Sequence, residues 1–397
     1  MILAHFGTFD VLNFGDSLFP LIAEHNLKEM FSGFVHVSPV GGRAYSDVPA
    51  PVTLQQVNNY DQRIAAVVVG GGNVVHARPS GLGVYGPVKR TAYPNLWAGA
   101  AQLAARRNIP LAFNSPGLAQ RFGWPTSVVL SGVIDQAVYV SVRDQRSADS
   151  IGSSRNVRVV PDTALAISDV FGPLSRSAVD LPKDVAALRD REYIAVHLNE
   201  RYATGPASEM ALILDQLSAQ VGIPICLVAI GPCHGDDIYA QKVAAYMRSS
   251  PVLFDAPKEV RAIASVIANS RFYVGSSLHG FITATSYGVP AVMVAAASAQ
   301  HKFTGLLDHL EARERLLNGW DTALAAVRKG ASSFSSPANA TNARLRIAEH
   351  WDLMRAALSG KPNRPAALTR VAPSLPIVAA GLGSFDRHIT SRLIRRR

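Results

Sequence analysis

Cysteine is almost missing from this 397-residue chain, which carries only Cys226 and Cys233. An extended segment between the two would span roughly 20 Å, too far for a disulfide. A disulfide-stapled fold is thereby excluded, and a reducing compartment suits the usage. Cys233-His234 has no third or fourth ligand nearby in the sequence, so no metal site is expected. Charge is sparse too, at 17% of residues, and no apolar run reaches the length of a membrane span. Met1-Ile-Leu-Ala-His-Phe-Gly lacks the charged region and longer apolar core of a signal peptide, so the expectation is a cytoplasmic protein. Apolar residues are plentiful. At 48% of the chain they exclude disorder for most of it and supply two domains with substantial cores.

The formal net charge of +10 looks like a nucleic-acid signature until it is located. Residues 361–397 hold eight Lys/Arg and one acid, a net +7, which leaves +3 for the first 360 residues. The body is therefore nearly balanced, and no nucleic-acid partner is expected. A basic tail ending in Arg392-Leu-Ile-Arg-Arg-Arg397 suits an acidic polymer or an anionic membrane surface, the latter making the protein peripheral at the inner face of the membrane. The alternative is a solvated basic terminus with no dedicated partner.

Short apolar runs alternate with helical patterns throughout, the signature of parallel sheets covered by helices. Strands are predicted at 2–6, 34–37, 64–69, 111–113, 137–142 and 157–160, then at 193–198, 225–230, 252–254, 272–274 and 291–294. Helices are predicted at 17–27, 95–107, 208–220, 238–247, 259–268 and 282–287, and late in the chain at 339–358. The fold class is α/β, with two Rossmann-like domains facing across a cleft, a C-terminal helix and a basic tail. The boundaries read 1–168 for the first domain, 169–191 for the connection and 192–330 for the second domain. Residues 331–360 form a helical segment and 361–397 a weakly ordered tail. Ligands of such sheets sit beyond the carboxyl ends of the strands.

Candidate site residues fall at those ends. Asn13, Gly15 and Asp16 follow the first strand, as phosphate or sugar contacts or as a simple helix cap. Gly70-Gly-Gly-Asn-Val-Val-His76 follows another, and three glycines are costly unless the backbone bends sharply or touches something. Gly71, Gly72, Asn73 and His76 are read as a ligand loop, although the dinucleotide spacing GxGxxG is missing. Arg143, in Ser141-Val-Arg-Asp144, can grip a carboxylate or phosphate bidentately or pair with Asp144 at the surface. Arg201 is a second candidate clamp. In Phe272-Tyr-Val-Gly-Ser-Ser-Leu-His-Gly280 a strand breaks at Gly275, and Ser276 and Ser277 can cap the helix that follows. His279 then lies at a helix N-terminus, able to exchange a proton near neutrality. A serine-capped helix with an inward histidine is the bland alternative.

The joint order is specific. Asn13-Phe-Gly-Asp16, Gly70 to His76, Ser141-Val-Arg-Asp144, Pro161-Asp-Thr-Ala-Leu165 and Ser277-Leu-His-Gly280, followed by Ala284-Thr-Ser-Tyr-Gly-Val-Pro290, resemble the polysaccharide pyruvyl transferase family over about residues 1–310. The resemblance implies a glycosyltransferase-B-like fold and transfer of pyruvate from phosphoenolpyruvate to a sugar of a polysaccharide or glycolipid, forming a ketal. It implies no cofactor beyond phosphoenolpyruvate as co-substrate, and a glycan or lipid-linked sugar as acceptor. His279 matches the family's histidine at the phosphoenolpyruvate site and is the expected acid or phosphate ligand. Asp16 would orient or deprotonate the acceptor hydroxyl. Ser276, Ser277, Leu278 and Gly280 complete the helix start. The family often has Arg-Leu-His-Gly where this chain has Ser277-Leu278-His279-Gly280. Either Arg143, Arg201 or Lys302 compensates, or the donor differs. A nucleotide-sugar glycosyltransferase and a non-catalytic glycan- or membrane-binding protein are the rival readings.

Overall fold

The computed structural model describes residues 1–118, 121–152, 156–175, 181–203, 205–296, 300–329, 334, 337, 339–365 and 374–383. The apolar runs form two sheets. The first contains β1 (Ile2–Phe6), β2 (Gly33–Val37), β3 (Ile64–Gly70), β4 (Leu111–Asn114), β5 (Tyr139–Val142) and β6 (Arg158–Val159) in the order β2-β1-β3-β4-β5-β6. The second contains β7 (Ile194–His197), β8 (Ile225–Val228), β9 (Val252–Phe254), β10 (Phe272–Gly275), β11 (Ala291–Val294) and β12 (Leu316–Leu317) in the order β12-β11-β10-β7-β8-β9. All their pairings are parallel. A parallel sheet covered on both faces needs strands that are apolar throughout, and in β3 every residue but Ala65 is buried.

Each sheet reverses its strand order once, between β1 and β3 in the first and between β7 and β10 in the second. The reversal opens a crevice at the carboxyl ends, where such sheets take ligands. Register brings Phe6 level with Val69 and His197 level with Gly275. The loops that start with Gly7, Gly71 and Ser276 therefore leave the sheets at these two crevices. The domains touch near them: Asp47 accepts from the Val260 and Arg261 amides, both at 2.9 Å, capping a helix of the other domain.

Some boundaries differ from expectation for local reasons. The predicted helix at 95–107 splits into a π-turn, Asn95–Gly99, and an α-helix, Ala100–Arg107. β12 is two residues long and too short to leave a pattern. In the described part of 169–191, Leu181, Val185 and Leu188 are buried. Within the tail, residues 374–383 form a helical stretch, and Leu375 and Ala379 are fully buried against the first domain. Arg370, Arg387, Arg392 and Arg395 to Arg397 lie outside the described residues. Among the described residues no helix is long and apolar enough to cross a membrane.

The late helix, Ala340–Leu358, returns to the first domain and buries Ala343, Ile347, His350, Trp351, Met354 and Leu358. His350 Nε2 donates to Asn114 Oδ1 at 3.0 Å, and Nδ1 accepts from the Tyr139 hydroxyl at 2.8 Å, so the ring is held neutral. Burial lowers its pKa to about 3. His5 is lowered to about 3 as well, by burial and then by the nearby His36. The unfolded chain binds protons at both rings below its ordinary histidine pKa, and the folded chain does not. Stability is thus full above about pH 6.5 and falls as the pH drops toward 3, by about 1.4 kcal/mol per pH unit for each ring. Urea melts at pH 7, 6 and 5 should show this fall, and His350→Gln should remove one ring's share of the slope. A pH-independent midpoint over that range would refute the assignment.

Candidate active site

His279 owes its position to the end of β10. Ser277, in extended conformation, caps the helix Leu278–Ser286 by accepting from the Gly280 amide at 3.2 Å. A Cβ at Gly280 would overlap the Tyr273 hydroxyl and lie 2.7 Å from Ile230 Cδ1, so only glycine lets the helix start this close to the sheet. The His279 side chain is 14% exposed. Its Nδ1 side faces Gly15 of the helix Phe14–Leu27, where a Cβ would overlap the imidazole. The Phe19 ring meets it edge-on at 5.8 Å. The two loops at the two crevices thus close on each other, with Gly15 and Phe19 against His279 and Asn13 and Asp16 flanking Gly15 in the chain. Asn13 caps its helix, its Oδ1 accepting from the Gly15 amide at 3.1 Å.

Nε2 of His279 points the other way, to Asp162 Oδ2 at 3.6 Å. That is beyond a hydrogen bond, and among the described residues neither buried atom has another hydrogen-bond partner. Asp162 is 3% exposed. Burial pushes its carboxyl up, but His279, Arg143 and the Ala164 amide outweigh it and hold the group below the usual carboxylate range. A buried anion therefore sits beside the imidazole. Asp162 lay inside a motif quoted above, yet nothing in its spacing assigned it a role.

Arg143 comes from the end of β5. Its side chain is 12% exposed and its Nε lies 3.5 Å from Asp144 Oδ2. Asp144 also caps the next helix through the Ser147 amide at 2.7 Å. The pair is real, but it is half-buried rather than displayed on the surface. Gly117 sets its place: a Cβ there would fall 2.5 Å from Arg143 Nε and 2.7 Å from Asn73 Oδ1. The Gly117 amide donates to Gly72 O at 2.8 Å, tying this loop to the glycine loop. The turn signal Ser115-Pro116-Gly117, directly after the strand at 111–113, marks this loop in the sequence.

The three glycines make room for protein atoms. A Cβ at Gly70, where φ is +114°, would lie 2.7 Å from Asn114 O; at Gly71 it would overlap the Phe19 ring; at Gly72, φ +70°, it would lie 2.8 Å from Asp16 Oδ1. The loop holds Asp16 and Phe19 in place, and Asn73 is exposed beside Arg143. His76 is 7% exposed. Its ring lies 3.7 Å from that of Tyr93 and its Nδ1 accepts from the Arg78 amide at 3.2 Å, so it anchors the following loop. Ser276 is buried, with its hydroxyl unpartnered among the described residues, and Leu278 packs in the core. Arg201 is exposed on a short turn, its guanidinium 5.9 Å from the Tyr202 ring, and among the described residues no hydrogen bond or ion pair joins it to His279. The Lys302 side chain lies outside the described residues. The geometry thus brings Arg143, not Arg201, toward the cluster.

Solved structures with a similar glycosyltransferase-B-like fold include two UDP-N-acetylglucosamine 2-epimerases and a protein solved with UDP. The S. aureus MnaA structure with UDP has a TM-score of 0.56 at 13% identity, covering 91% of this chain and 98% of that one. A Methanocaldococcus jannaschii UDP-GlcNAc 2-epimerase bound to UDP-GlcNAc and UDP scores 0.52 at 12% identity, covering 91% and 100%. The Rickettsia bellii UDP-N-acetylglucosamine 2-epimerase scores 0.56 at 10%, covering 90% and 96%. At such identities the likeness concerns the fold alone. No curated protein matches the chain. The family model for polysaccharide pyruvyl transferase matches residues 13–298, from the Asn13 cap through the His279 helix and beyond β11. This two-domain α/β chain with a glycosyltransferase-B-like fold belongs to the polysaccharide pyruvyl transferase family.

Proposed function

We propose that the protein transfers pyruvate from phosphoenolpyruvate to a sugar of a polysaccharide or glycolipid and closes it as a ketal. The observation that carries this reading is the buried gap of 3.6 Å between His279 Nε2 and Asp162 Oδ2, next to Arg143 and opposite Gly15 and Asp16. Phosphoenolpyruvate brings a carboxylate and a phosphate, which call for a guanidinium and helix N–H groups. Arg143 grips one of these anions, and the start of the helix Leu278–Ser286 faces the other. A sugar hydroxyl adds to the enol carbon while Asp16 takes its proton, and His279 delivers a proton from Nδ1 to the methylene. The bond to the phosphate oxygen then breaks, phosphate leaves with the electron pair, and a second sugar hydroxyl adds to the same carbon, its proton passing to the His279 Nδ1 that gave one up in the first step. The Asp162 carboxylate lies on the Nε2 side of the ring, leaving Nδ1 toward the acceptor loop. The reaction would run on the cytoplasmic side, on a glycan or lipid-linked acceptor.

The serines at the helix start keep one rival in view. With Ser277 where the family often has arginine, the same amides could serve the diphosphate of a nucleotide-sugar. Thermal shift separates the two. Phosphoenolpyruvate at a hundred times its dissociation constant should add about 2.7 kcal/mol to the stability of the folded protein, and Arg143→Ala should abolish that gain. Stabilisation by a UDP-sugar and not by phosphoenolpyruvate would overturn the assignment.

A further inference from the structure

A second buried titratable pair lies outside the cluster just described. His197, the last residue of β7, places Nε2 2.9 Å from Oδ2 of Asp236, with side chains 4% and 1% exposed. Asp236 begins the helix Asp236–Tyr246. Burial pushes its carboxyl up, but His197 and the Gly231 and Ile230 amides outweigh this and keep it below the usual range. The same Oδ2 accepts from the Ile230 amide at 3.0 Å and from the Gly231 amide. One carboxylate oxygen therefore ties the end of β7, the segment after β8 and the start of a helix together.

That segment faces the other domain. Ile230 O accepts from the Phe14 amide at 2.8 Å, and the Cys233 amide donates to Leu12 O at 3.2 Å. These bonds lie on either side of Asn13, the cap of the acceptor-side helix. Ile230 also packs where a Gly280 side chain would be, against the first turn of the His279 helix. A single loop thus holds the acceptor-side helix with its backbone and the His279 helix with its side chain.

We infer that His197 and Asp236 are positioning residues whose hydrogen-bonded pair fixes the Ile230–Cys233 loop, and that this loop sets the register of Gly15 and Asp16 against His279. The inference deepens the proposed site and rests on Asn13 to Asp16 serving the reaction, but the bonds it concerns can be read without turnover. Neither side chain touches the reacting groups. A pair that merely stabilised the second domain would not single out two amides at the domain seam.

Hydrogen exchange on the full chain tests this. In Asp236→Asn, which leaves one neutral acceptor where a carboxylate held three donors, the Phe14 and Cys233 amides should exchange at least about tenfold faster. Amides of β3 should be unchanged. His197→Ala should do the same, whereas His197→Gln, whose amide can donate to Asp236, should restore protection. That comparison stands if Asp236→Asn does not fold. With phosphoenolpyruvate and acceptor, the loosened variants should raise the acceptor KM while keeping the phosphoenolpyruvate thermal shift. Unchanged exchange at Phe14 and Cys233, or equal acceleration across the whole second domain, overturns the inference. Loss of the pyruvyl-transfer reading alone would leave the exchange pattern intact.

Discussion

His279→Gln is expected to lower turnover by about a thousandfold, within the range of 10² to 10⁴ for loss of a general acid, while the protein folds and melts almost as before. The fold does not lean on the imidazole. The helix cap is made by Ser277 and the Gly280 amide, and the core side of the helix by Leu278, Phe281 and Ile282. The ring gives up an edge contact with Phe19 at 5.8 Å, worth about 1 kcal/mol. Glutamine can still donate toward Asp162, so the buried carboxylate is not stranded. Arg143 remains, so the phosphoenolpyruvate thermal shift should persist. Phosphate release from phosphoenolpyruvate in the presence of acceptor, followed in single turnover, is the measurement. Turnover within threefold of wild type would remove His279 from the chemistry and favour the rival reading in which the helix start merely binds a diphosphate.

Much of the architecture was legible because its signals are local. A fully covered parallel strand is an apolar run of four to seven residues here, and a run that ends in glycine or serine before a helical pattern marks a carboxyl end. Residues 272–280 show both signs, residues 64–72 the apolar run and the glycines, and their loops lie at the two crevices. What stayed illegible depends on partners remote in sequence. Gly71 read as a ligand contact because a glycine's missing side chain says only that something is close; that something is Phe19. His76 looked like a ligand residue until Tyr93 was found against its ring. Asp162 was unassignable, since its depressed pKa comes from two residues on other elements, His279 and Arg143, and one local amide. The tail read as weakly ordered on composition, but Leu375 and Ala379 are four apart and share a helical face that the first domain buries.

Gly15→Ala isolates the geometry from the chemistry, and its two expected effects have opposite signs. Gly15 is in the first turn of a helix with no positive φ, so alanine should stabilise the helix by roughly 0.5–1 kcal/mol. The added Cβ, however, would overlap the His279 ring. The helix is pinned by the Asn13 cap, the Phe14 amide bond to Ile230 and the buried Phe14, Leu18 and Phe19. The imidazole, at the end of a side chain, is the softer partner and is pushed out of its place beside Asp162. A displacement of about 1 Å at a reacting group can cost about a hundredfold. We therefore expect turnover to fall by about that factor, with the melting temperature unchanged or raised and the phosphoenolpyruvate thermal shift retained. A double-mutant cycle decides the cause. In a His279→Ala background there is no ring to displace, and Gly15→Ala should leave the residual rate unchanged. An equal loss in both backgrounds would show that alanine blocks the acceptor directly, and a lowered melting temperature would show that the helix yields before the ring does.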